Sequence, residues 1–120
     1  MEYIFFEACN FNQPIGDWDV SSVTNMGCMF CMTDKFNQPI GGWDVSRVTN
    51  MHGMFKRAKE FNQPIGGWDV SNVTNMTDMF SYAEKFNQNI SSWNISNKSD
   101  ITRIFDYCPI KKEYKPKKYK

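Results

Sequence analysis

Three aspartates recur at one spacing, Asp19, Asp44 and Asp69, each inside the tetrapeptide Trp-Asp-Val-Ser. A column of carboxylates can accept hydrogen bonds from the turn that follows, here at Ser21, Ser46 and Ser71. It can also bridge calcium, or offer an acidic stripe to a basic partner. Like charges about 5 Å apart on neighbouring parallel segments repel, and the series ends at Asn94. Arg47 and Asn72 lie close by, in a slot whose residue changes along the chain. Asp19, Asp44, Asp69, Arg47 and Asn72 are therefore the candidate partner-binding set. A second candidate is the basic tail, Lys111, Lys112, Lys115, Lys117, Lys118 and Lys120, which carries +5 with Glu113 counted. The other residues carry eight basic and twelve acidic side chains, −4. Such a tail suits an acidic partner, and binding nucleic acid through it alone is the lesser expectation.

The cysteines point less clearly to chemistry. Cys28-Met29-Phe30-Cys31 has half the spacing of a zinc site, but no second pair follows and His52 is the single histidine. A zinc site needs about four ligands, so none is expected. Cys9 and Cys108 lie at or beside a small-residue slot that holds Ala58 and Ala83. They read as small buried residues in a reducing compartment. The chain shows no Ser-His-Asp set, phosphate-cradling glycine loop or metal quartet. The expectation is no enzyme, no metal and no cofactor.

These residues are positioned by a repeat of 25 residues. Phe-Asn-Gln-Pro-Ile-Gly starts at Phe11, Phe36 and Phe61, and a looser copy starts at Phe86. In the second copy the apolar columns are Phe36, Ile40, Trp43, Val45, Val48, Met51, Met54, Phe55 and Ala58. Trp43 and Val45 alternate around Asp44, which predicts a short strand. Val48, Met51, Phe55 and Ala58 step by three, four and three, which predicts a short helix. Thr49-Asn50 should cap its start, as should Thr24-Asn25, Thr74-Asn75 and Ser99-Asp100. The expected fold class is an α/β repeat solenoid with one short parallel strand and one short helix per repeat. The Trp column should face inward. The Asn12 and Gln13 columns should form amide ladders or tie down loop backbone.

Residues 1–10 align with the end of a repeat and read as a partial N-terminal cap. Residues 11–110 hold four repeats, the last degenerate and capping, and 111–120 form a basic disordered tail. Aromatic residues are 16% of the chain, too many for a disordered protein. No apolar run reaches the roughly 18 residues of a membrane span, and the first residues carry no basic leader.

The pattern F-N-Q-P-I-G-x-W-D-V-S-x-V-T-N-M-x-x-M-F-x-x-A resembles the 25-residue BspA-like leucine-rich repeats of mycoplasma-type surface proteins, also found in large DNA viruses. The likeness covers about residues 4 to 108. It implies a leucine-rich-repeat-like solenoid used for binding, and supplies no catalytic residues. The expected function is a non-catalytic protein–protein interaction module. The alternative is a structural subunit of a larger assembly such as a viral particle. No signal peptide or lipid-attachment cysteine is evident near Met1, so the expected location is intracellular or virion-associated.

Overall fold

The polar pair expected to cap a helix opens a turn instead. In a computed structural model that describes residues 1–117, Oδ1 of Asn25, Asn50, Asn75 and Asp100 accepts the N–H two residues on, at 2.8–3.0 Å. The same four residues form isolated parallel bridges from one copy to the next. Past Asn50, the N–H groups of Met54, Lys56 and Ala58 donate three residues back, to Met51, Gly53 and Phe55. The alternate N–H groups leave the copy: Met51, Gly53, Phe55 and Arg57 donate to Asn75, Thr77, Met79 and Ser81 at 2.8–2.9 Å. A helix would have sent successive N–H groups four residues back. Here the backbone divides its donors between closing a turn and holding the neighbouring copy.

A type II turn requires positive φ at its third residue. The chain meets that demand at two columns, Tyr3/Cys28/Gly53/Asp78/Arg103 and Glu7/Met32/Arg57/Tyr82/Tyr107, all with φ between 50° and 61°. Only Gly53 is a glycine. A non-glycine residue pays on the order of 1 kcal/mol there. For Cys28, Met32, Arg57, Asp78 and Tyr82 the residue's own N–H bonds the next copy, which helps hold the conformation.

The expectation of an α/β repeat solenoid is therefore corrected. The described residues contain no α-helix and no strand ladder. They hold one 3₁₀ helix, Lys112–Tyr114, and the three isolated bridges. The body measures 34 × 30 × 20 Å, a compact globule made almost wholly of turns. No helix among the described residues is long and apolar enough to cross a membrane.

The apolar columns fill the interior. Phe30, Phe55, Phe80 and Phe105 stack at 5.6–5.7 Å between centroids. Phe36, Phe61 and Phe86 stack at 5.9–6.0 Å. Within a copy's stretch the two ladders touch, as in Phe55–Phe61 at 4.2 Å. Trp43, Trp68 and Trp93 are buried and donate Nε1 to the carbonyls of Ile15, Ile40 and Ile65 at 3.0–3.1 Å. Around Asp44 the side chains do alternate, buried Trp43 and Val45 against exposed Asp44. The predicted strand does not form, because the indole N–H rather than a backbone ladder joins this stretch to its neighbour.

Loop amides complete the stack. Oδ1 of Asn12, Asn37 and Asn62 accepts the N–H of Asn37, Asn62 and Asn87 at 2.9 Å. Gln38, Gln63 and Gln88 donate Nε2 to the same three asparagines at 3.0–3.2 Å. At one end Tyr3, Phe5 and Glu7 donate to Gly27, Met29 and Cys31. At the other, residues 111–117 of the segment expected to be a disordered tail lie against the fourth copy, and 118–120 fall outside the described residues. Tyr114 accepts the Ile90 N–H at 3.0 Å, Asn87 Oδ1 accepts the Lys111 N–H, and Pro116 is buried.

Candidate functional site

The aspartate column is engaged by its own turn. Oδ1 of Asp19, Asp44 and Asp69 accepts the N–H of Ser21, Ser46 and Ser71 at 3.0 Å and the hydroxyl of the same serine at 2.6 Å. Those serine hydroxyls, aided by the N–H bonds, hold the three carboxyls below their ordinary value. No group of three metal-ligating side chains occurs among the described residues. Arg47 is exposed, whereas Asn72 donates Nδ2 to the Ser46 carbonyl at 2.8 Å and so pins backbone.

The basic set is spread over the end of the body. Lys111 Nζ lies 5.4 Å from the Tyr114 ring and Lys115 Nζ 5.5 Å from the Phe105 ring. Lys112 and Lys117 are exposed, and Lys118 and Lys120 fall outside the described residues. Lys117 lines an open hollow with Asn94, where the aspartate column ends.

The two left-handed columns display side chains that change from copy to copy. Arg57 lies over the Tyr82 ring at 4.9 Å, and Tyr82 stacks on Tyr107 at 4.7 Å. Tyr107 is 76% exposed and Tyr82 41%. Sequence reasoning missed this row. Its signal was the change of residue along Glu7, Met32, Arg57, Tyr82 and Tyr107, one of several columns that vary.

Beside the row, Tyr3, Phe6, Cys28, Cys31, His52 and Lys56 line an open groove of about 460 Å³. Cys28 and Cys31 are free thiols at the two corners of one turn, with the Cys31 N–H on the Cys28 carbonyl at 3.3 Å. The Cys31 thiol lies beside the Cys28 sulfur. With help from the Tyr3 hydroxyl and the Lys56 charge, that contact brings Cys28 down to about 7. The same contact and burial push Cys31 up. His52 Nδ1 sits 2.6 Å from Thr77 Oγ1. The expectation that Cys9 and Cys108 are small buried residues needs correction, since Cys108 is only half-buried. Cys9 is exposed, Cys28 is activated, and burial raises Cys108 to about 11.

Next along the same columns, Asp78 accepts from Arg103 Nε at 3.0 Å, Arg103 Nη2 at 3.2 Å and Ser81 Oγ at 3.1 Å. The Arg103 guanidinium holds the Asp78 carboxyl below its ordinary value. A carboxyl lowered in the folded state stabilises above its unfolded value and loses that contribution as pH falls through the folded one. Asp78→Asn is expected to cost about 1 kcal/mol at neutral pH, after discounting for solvent around the exposed arginine. The difference from the parent should shrink as pH falls below the ordinary carboxylate range and through the lowered folded value. Urea unfolding at pH 7 and in acid measures both, and a pH-independent difference would contradict the assignment.

The architecture defines a tandem-repeat protein whose copies are joined by backbone bonds and whose corners carry the varied side chains. The chain belongs to the family described as Mycoplasma protein of unknown function, DUF285, whose sequence profile matches residues 1–116. No curated protein matches the chain, and no solved structure does.

Proposed function

We propose that this protein is a non-catalytic protein-interaction module that recognises its partner through the corner row Arg57, Tyr82 and Tyr107. The observation that carries the reading is the stacked, exposed pair Tyr82–Tyr107 with Arg57 over it, on backbone held by the neighbouring copies. Tyrosine and arginine dominate the energetics of protein interfaces, and a rigid platform loses little entropy on binding. The aspartate column supports this role less well, because each carboxylate is already tied to a serine. The narrower likeness to BspA-like repeats agrees with a binding role and is part of the same reading.

The test is affinity capture from native material with the parent and a Tyr82→Ser/Tyr107→Ser double variant. Both tyrosines are exposed, so the melting temperature should move little. A protein retained by the parent and lost at least tenfold by the variant supports the reading. An unchanged retained set at an unchanged melting temperature would sink it.

A further inference from the structure

Cys28 and Cys31 flank a hydrogen-bonded turn. That places their Cα atoms within about 7 Å, near the span of a disulfide. Their columns bring side chains together elsewhere in the molecule too: Ser81 Oγ donates to Asp78 Oδ1 at 3.1 Å across the equivalent turn. The next copy carries Gly53 beside Cys28, where an added Cβ would lie 3.0 Å from the Cys28 sulfur. Glycine there leaves the sulfur its room. Lys56 stands where Cys31 stands in the previous copy, and its charge favours the thiolate at both sulfurs. Tyr3 lines the same groove as Cys28. Both thiols are nearly buried, at 6% and 5% exposure, but they line the groove, so access is limited to small reagents.

We propose that Cys28 and Cys31 form a thiol–disulfide exchange site that is oxidised by small aliphatic disulfides. The Cys28 thiolate attacks one sulfur of the reagent. The reagent's S–S bond breaks, one thiolate leaves, and a mixed disulfide stands on Cys28. Cys31 loses its proton to water and attacks the Cys28 sulfur, expelling the second thiolate. Two electrons pass from the protein to the reagent, which departs as two thiols. The protein keeps one Cys28–Cys31 bond and is lighter by two hydrogen atoms. Cys9 is exposed but is not paired with a second thiol in this way, and Cys108 is raised by burial and lies 3.5 Å from the Phe86 carbonyl.

The experiment exposes the full chain to oxidised glutathione, blocks remaining thiols with N-ethylmaleimide and maps the peptides by mass spectrometry. The expected product links Cys28 to Cys31 and leaves Cys9 and Cys108 alkylated. A Cys31→Ser variant should trap glutathione on Cys28 about fivefold faster than on Cys9. Serine occupies that column as Ser81, so this variant should fold. If it does not, the linkage map of the parent decides alone. Oxidation that joins any other pair, or trapping on Cys28 no faster than on Cys9 in a folded variant, would overturn the proposal.

Discussion

Phe55→Ala is expected to lower the unfolding free energy by about 4 kcal/mol. Phe55 is fully buried and sits where the two aromatic ladders meet. It stacks on Phe30 and Phe80 at 5.6 Å and on Phe61 at 4.2 Å, with Trp68 at 6.2 Å. Rings on several sides cannot all move into the space, because each is held by its own column. The lost transfer energy is therefore joined by a cavity cost. Phe5 belongs to the same column but is only partly buried. Its alanine variant should cost less than half as much. Urea unfolding of both variants gives the comparison, and a Phe55→Ala loss below about 2 kcal/mol would contradict the ladder.

Gly41→Ala should be nearly as damaging, at about 3 kcal/mol, for a reason of backbone rather than core. A Cβ at Gly41 would lie 2.5 Å from the carbonyl oxygen of Pro64 in the next copy. Gly16 and Gly66 face the same kind of obstacle, from Pro39 and Asn89 at 2.6 Å. An oxygen on the main chain can yield only by shifting the loop that Asn37 and Gln63 pin. The adjacent Gly42 has nothing within 4 Å of an added Cβ. Gly42→Ala should therefore be neutral or stabilise by about 0.5 kcal/mol. Thermal unfolding of the two single variants is enough, and equal melting temperatures would refute the contact.

The glycine pair shows what the sequence could and could not reveal. Gly42 is Asp17 in the first copy, as open space permits, while Gly16 and Gly41 agree. All nine apolar residues read from the second copy are buried, from Phe36 to Ala58, although Trp18 of the Trp column is exposed. Burial was legible because it depends on hydrophobic pattern alone. The helix was not, because Val48, Met51, Phe55 and Ala58 have the spacing of a helical face and also of a row of turns that points its sides inward. The positive φ at Arg57 is invisible in sequence, since arginine gives no sign of it. Asn50 was read correctly as an acceptor for a following N–H, yet that chemistry opens a turn as readily as a helix. The aspartate–serine bonds were legible from Asp-Val-Ser. The corner row was not, because it arises only when copies lie side by side; the Cys28–Cys31 spacing was visible, but not the turn that closes it.

Nine of the ten left-handed corners carry a residue other than glycine. Each gives up on the order of 1 kcal/mol that glycine would have supplied. The protein thus folds with a stability reserve left undrawn, spread along the edge where its copies differ. Because the inter-copy backbone bonds hold the corner shape, what stands there can be rewritten without renegotiating the interior. The edge behaves as a line of type set in a fixed frame, one letter per copy in each column.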